Sequence, residues 1–128
     1  ESADSFARTV EFASAMQFAK IHVFPYSKRS GTPAASFTGQ VGDAEKKRRV
    51  ADLMQVSEQG SLNFRQRMLG KTLPVLLERI VDGIAEGLTP NYQRVFIAEE
   101  IAGLTENQLV QTELVGICDE GLSGRLKK

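Results

Sequence analysis

The sequence predicts an α+β chain in three parts. Residues 1–42 read as a helix and strand of the kind that repeats in an α/β barrel, 43–69 as a long linking helix, and 70–128 as a small antiparallel β-barrel. Three observations predict this. Phe6, Val10, Ala13 and Met16 recur at helical spacing and lead into a short apolar run, Ile21-His22-Val23-Phe24, closed by Pro25. From Asp43 to Met68 a helical pattern continues without proline. After Gly70 the pattern changes to short β-compatible runs separated by turn residues.

The first helix is expected over Ser5–Phe18, with Ser2, Asp4 or Ser5 as its N-cap. It leads through Ala19 into the strand Ile21–Phe24. A helix followed by a buried strand is half of the repeating unit of an α/β barrel or doubly wound sheet, and one half cannot close a sheet. His22 lies mid-strand, where a buried, hydrogen-bonded imidazole is the expectation rather than a metal ligand or a base. Residues 34–42 are mostly small or polar, with two glycines, and read as a connector. Asp43 then caps a helix through Met68, with Val50, Leu53, Ser57, Phe64 and Met68 along one stripe. At about 1.5 Å per residue it is longer than packing of so small a domain requires, and reads as a strut. Gly60 weakens it by roughly 1 kcal/mol relative to alanine and marks a place for a bend. Gly70 supplies its stop. The β runs are Leu73–Val81, Tyr92–Ala98, Leu109–Cys118 and Leu122–Leu126, parted by Asp82-Gly83, Thr89-Pro90-Asn91, Gly103 and Glu120-Gly121.

Composition bounds the function. Of 128 residues, 41% are hydrophobic and 25% charged, as in a globular protein rather than a disordered one. Sixteen basic and sixteen acidic residues cancel, so a nucleic-acid partner would have to be met by a local patch. The single cysteine, Cys118, forms neither an internal disulfide nor a multi-cysteine metal site. It lies in an apolar run, where core packing is the expectation, and its isolation suggests a reducing compartment. No apolar run approaches the roughly 20 residues that span a bilayer. The expected location is the cytoplasm, with no membrane partner.

Chemistry concentrates between His22 and Ala35, where the apolar run meets a loop of donors, glycine and proline. His22-Val23-Phe24-Pro25-Tyr26-Ser27-x-Arg29-x-Gly31-Thr32-Pro33-Ala34 resembles the last barrel strand and loop of the radical-SAM methylthiotransferases. The full form most resembles the branch acting on threonylcarbamoyl-adenosine beside the tRNA anticodon. The sister branch acting on isopentenyl-adenosine usually lacks the histidine and has another residue in place of Pro25. Further along, Gly87-Leu-Thr-Pro-Asn91-Tyr92-x-Arg94-Val95, Leu114-Val115-Gly116 and Gly121-Leu122-x-Gly124 resemble the TRAM domain of these enzymes, an OB-like five-stranded barrel that binds RNA. The resemblance covers nearly the whole chain. It implies a carboxy-terminal fragment of a larger enzyme, whose parent uses S-adenosylmethionine and two 4Fe-4S clusters. Radical-SAM chemistry requires three cysteine thiolates in a CxxxCxxC loop, and these are absent, so the fragment alone is expected to be inactive.

The resemblance associates Tyr26, Ser27, Arg29 and Thr32 with the parent active site. At a barrel mouth Arg29 could hold a carboxylate or phosphate through two N–H groups. Residue types alone favour a loop that satisfies itself. The run Lys46-Lys47-Arg48-Arg49 reads first as a solvated helix face, although cations in a first helical turn oppose the macrodipole, which would suit a tRNA phosphate or an acidic partner nearby. In the β module, Lys71, Arg79, Asn91, Tyr92, Arg94, Arg125, Lys127 and Lys128 form the candidate RNA surface: cations tracking phosphates, with an aromatic ring stacked on a base. The opposing reading packs Tyr92 inside the barrel, and Glu99-Glu100 and Asp119-Glu120 favour it over part of the surface.

The resemblance thus implies the tRNA-positioning part of a methylthiotransferase. Its partners would be a tRNA anticodon stem-loop, the missing cluster-binding domains and, in isolation, a second copy. Two rivals stand beside it: a stand-alone RNA-binding module, and a protein-interaction adaptor that uses the long helix as its partner surface.

Overall fold

The computed structural model describes residues 1–127; Lys128, expected on the RNA surface, lies outside the described residues. The chain is α+β and divides into two compact units, Glu1–Phe64 and Arg65–Lys128.

Helix α1 (Ala3–Met16) starts where Ser2 accepts a hydrogen bond from the Ser5 N–H at 3.1 Å. It ends two residues before the expected Phe18, because Gln17 turns left-handed with φ 51° and bonds back to the Ser14 carbonyl. Phe6 and Ala13 are buried, Val10 half-buried, and Met16 is 51% exposed. Helix α2 (Asp43–Met68) ends where expected, but Asp43 is its first helical residue rather than its cap: the preceding Gly42 carbonyl accepts from Lys46 N–H, and the Asp43 carboxylate meets the Lys46 ammonium. It does not break at Gly60. That residue is buried, and a Cβ added there would lie 2.6 Å from the Phe18 carbonyl oxygen. Glycine is required because the backbone after α1 passes against the helix.

The expected strand Ile21–Phe24 does not form. A strand exists by pairing, and the segment has none among the described residues; the Ser57 hydroxyl brackets it instead, accepting from Ile21 N–H at 2.9 Å and donating to Ile21 O at 3.4 Å. Without a sheet to enclose it, His22 is exposed rather than buried and hydrogen-bonded, and Phe24 is 82% exposed.

The second unit is a closed barrel of β1 (Thr72–Val81), β2 (Ile84–Leu88), β3 (Arg94–Ile97), β4 (Leu109–Cys118) and β5 (Gly121–Leu126), in the order β1-β2-β3-β5-β4. All pairings are antiparallel except β3 with β5, so the expected antiparallel barrel is closed by one parallel seam. Val75 and Leu77 of β1, Val95 and Ile97 of β3, Leu114 of β4 and Leu122 of β5 are fully buried. Each contributes about 1.5–3 kcal/mol by leaving water. Between β1 and β2, Asp82 (φ 51°) and Gly83 (φ 78°) make the two-residue hairpin turn whose twist suits adjacent strands. Strand β2 lies outside the β runs read from sequence, and β3 begins at Arg94 rather than Tyr92. Cys118 is half-buried at the end of β4 rather than packed in the core.

Alanine is intrinsically the better helix former by about 1 kcal/mol, yet Gly60→Ala should destabilise the first unit by about 1–3 kcal/mol through the Phe18 clash. Urea unfolding followed by helical circular dichroism checks this, and a raised midpoint would refute the packing account.

Candidate nucleic-acid interface

The β2–β3 connection is built around Thr89, which is 3% exposed. Its hydroxyl donates to Asn91 Oδ1 at 2.6 Å and accepts from Gln93 N–H at 2.9 Å. Its carbonyl accepts from Tyr92 N–H at 2.9 Å, and its own N–H bonds Gln93 O at 3.0 Å. Asn91 Nδ2 lies 3.4 Å from the buried Met68 sulfur. These bonds hold Tyr92 left-handed, with φ 61°, and its side chain is 83% exposed. A non-glycine residue seldom adopts that backbone. Tyr92 is therefore outside the barrel, which removes the reading that packs it in the core.

Arg79 on β1 stands opposite Glu86 on β2, and Arg94 opens β3. Both guanidiniums end on the Glu86 carboxylate, which is 10% exposed. Arg79 donates to Oε2 through Nε at 3.0 Å and also through Nη2; Arg94 donates to Oε1 through Nη1. Glu78 Oε2 is a further 3.7 Å from Arg94 Nη1. The remaining cations gather elsewhere. Glu113 on β4 pairs in register with Thr72 and Arg125, and its carboxylate lies 3.9 Å from Lys127 Nζ. Lys71 is exposed beside Thr72. The candidate residues thus form two groups, one at β1-β2-β3 with Asn91 and Tyr92, the other around Glu113. Glu86 was not among the sequence candidates. The signal for it was present: a two-residue turn at Asp82-Gly83 fixes the register that sets Glu86 against Arg79.

In the first unit the loop residues do not converge. Tyr26 lines a cleft of about 390 Å³ with Phe6, Phe24, Phe37, Lys46 and Arg49, and the Lys46 ammonium lies 6.0 Å from its ring centroid. Thr32 closes a turn, its hydroxyl and N–H bonding the Arg29 carbonyl at 2.8 and 3.3 Å. Ser27 and the Arg29 side chain are exposed. Carboxylates account for much of the basic run in α2. Arg48 bonds Glu45 and Asp52, Arg49 bonds Glu45 and lies near Glu1, and Lys46 lies 3.4 Å from Asp43.

No family model matches the chain. Curated relatives do. A threonylcarbamoyladenosine tRNA methylthiotransferase, MtaB, of Thermotoga maritima is 29% identical over 122 residues, covering 95% of this chain and 27% of that one. A tRNA-2-methylthio-N(6)-dimethylallyladenosine synthase of Ehrlichia ruminantium is 30% identical over 97% of this chain and 28% of its own length. The chain belongs to the radical-SAM methylthiotransferase family. A ribosomal protein uS12 methylthiotransferase, RimO, of Carboxydothermus hydrogenoformans is 33% identical over 83% of this chain and 24% of its own. The chain thus spans about a quarter of the length of these methylthiotransferases. Among solved structures, a multidomain protein with nucleic acid binding domains from Streptococcus pneumoniae aligns over 52% of this chain and 28% of its own, with a TM-score of 0.44 and 19% identity, too distant to bear on function.

One cysteine is too few to supply the thiolates of a radical-SAM cluster. A radical-SAM cluster takes three thiolates; Cys118 is the one cysteine, and no group of three His, Cys, Asp or Glu among the described residues is placed to hold a metal. Among the described residues no helix is long and apolar enough to cross a membrane.

Hydrogen bonds from Arg48 and then Arg49 hold the Glu45 carboxyl at about 2, below its ordinary 4.5. A depressed carboxylate stabilises the fold above its unfolded value, so the contribution is full above pH 4.5 and is lost as pH falls towards 2. Carboxyl NMR titration should place Glu45 near the lower value, and Arg48→Ala should move it up; an unmoved midpoint would refute the pairing.

Proposed function

We propose that this chain is the carboxy-terminal, tRNA-positioning part of a methylthiotransferase that adds a methylthio group to a modified adenosine next to the tRNA anticodon. The observation that carries the reading is Tyr92, held 83% exposed on a clamped loop two residues before Arg94, in a chain of this family. An aromatic ring fixed in water beside a guanidinium suits base stacking with phosphate contact, and stacking on this scale is worth about 1–3 kcal/mol per base. Residues 70–128 form the RNA-binding barrel, 43–69 the link, and 1–42 the end of the parent's catalytic barrel, with Tyr26, Ser27, Arg29 and Thr32 in its active-site loop. Arg79, Asn91, Tyr92 and Arg94 make the central RNA contacts, and Lys71, Arg125 and Lys127 a flanking one. S-adenosylmethionine and the 4Fe-4S clusters belong to domains outside this sequence. The protein works in the cytoplasm, where its tRNA substrate is, and the chain by itself is inactive.

Exposed Phe12, Met16, Phe24 and Phe37 in the first unit support its packing against further domains of the parent. In isolation the chain should self-associate in light scattering; a monomer at all concentrations would count against that.

The decisive measurement is a salt titration of binding to an unmodified anticodon stem-loop and to a DNA hairpin of equal charge. Saturable binding with preference for RNA is expected. Replacing Tyr92 and Arg94 together by alanine should weaken it and reduce the salt slope by about one unit. No RNA affinity at any salt concentration would favour the adaptor reading instead.

A further inference from the structure

Arg79 and Arg94 have side chains 64% and 39% exposed, yet both end on one carboxylate that is 10% exposed. Strand alternation explains the placement. Ala85 fills the barrel, so Glu86 faces outward, and the stems and guanidiniums of the two arginines cover it. Arg79 is gripped through Nε and Nη2, leaving Nη1 uncommitted to Glu86; Arg94 is gripped through Nη1, leaving Nε and Nη2.

As simple charge, this arrangement is ill suited to RNA. With Glu78 beside Arg94, two cations meet two carboxylates and the cluster sums to zero. A surface built only to attract phosphate would leave Glu86 out. What the carboxylate adds is geometry. A free arginine loses much rotamer freedom when it binds, whereas a guanidinium already fixed in one plane presents its remaining N–H groups without that loss. Phosphate oxygens suit such a fixed fork.

We propose that Glu86 is a positioning residue for RNA recognition. It orders Arg79 and Arg94 beside the Tyr92 loop, so that a phosphate meets preset donors while the neighbouring base stacks on the ring. The proposal rests on the RNA-binding reading above and assigns within it a role to a buried acid. It gives Glu86 an effect opposite in sign to its charge: a negative residue strengthens binding to a polyanion.

Glu86→Gln tests this in the full chain, because it keeps shape and raises net charge by one. If charge alone governed, the variant would bind the anticodon stem-loop more tightly, most of all at low salt. The expected result is weaker binding at every salt concentration, by about tenfold, the scale of ordering two long side chains. Equal or tighter binding by Glu86→Gln overturns the proposal while leaving the RNA reading intact; a wild-type chain that binds no RNA overturns that reading and this one with it. NMR of the arginine Nε–H groups gives a readout without RNA. The wild type should show ordered, slowly exchanging signals from Arg79 and Arg94, lost in Glu86→Gln while the backbone spectrum persists. Their absence from the wild type overturns the proposal directly. Should Glu86→Gln fail to fold, Arg94→Lys keeps the charge and removes the fork. It should bind more weakly with an unchanged salt slope, and unaltered affinity would overturn the proposal.

Discussion

The barrel depends on the turn at Asp82-Gly83. Two successive left-handed residues reverse the chain in the least length available, and that fixes which residues of β1 and β2 stand opposite each other. From this register, together with a β-bulge between Leu77 and Arg79 that reverses the facing of β1, follow the core and the outer face. Leu77 and Ala85 fall inside, while Arg79 and Glu86 fall outside and in contact. A slip of one residue would bury Glu86 in the core and expose Ala85. The packing that stabilises the barrel and the placing of Arg79 against Glu86 are therefore set by one turn and one bulge.

Closure imposes the second constraint. Where β2 crosses β1, a Cβ on Gly87 would lie 2.3 Å from the Leu76 carbonyl oxygen, and where β5 meets the core a Cβ on Gly124 would lie 2.4 Å from Thr112 Cγ2. The small residues are thus what a tight barrel needs where a strand meets its neighbour's backbone, as at Gly87, or the packed core side chains, as at Gly124. This also explains what was hard to read. The buried positions of β2 are Ala85, Glu86 and Gly87, none of which carries a β signal, so only the neighbouring strands stood out as apolar runs. By contrast, β4 alternates Val110, Thr112 and Leu114 inward and was legible from end to end.

Legibility in the first unit followed the same physics. Helix α2 was readable because its period is local, while the Ile21–Phe24 strand was not, because pairing is a property of neighbours and not of the segment. Gly60 is the instructive residue: propensity marks it as a weakness, and the structure shows it as the point of closest backbone approach. Residue types single out Tyr92 and Arg94 in the sequence, but the buried acid beside Arg94 required the register. In the loop, the self-satisfied reading from residue types is met at Thr32, whose hydroxyl closes on the Arg29 carbonyl, while the Arg29 side chain is exposed.

A closed barrel has no free strand edge. Its backbone donors and acceptors are spent on neighbouring strands, so it cannot recruit a partner by adding a strand, and recognition falls to side chains and loops. Such a surface can change its partner without touching the scaffold. Relatives of this chain carry names that assign them to tRNA in some cases and to a ribosomal protein in another. A module whose core residues are held inside the barrel while others face out is well suited to that kind of divergence: the inward set keeps the shape, and the outward set is free to be rewritten.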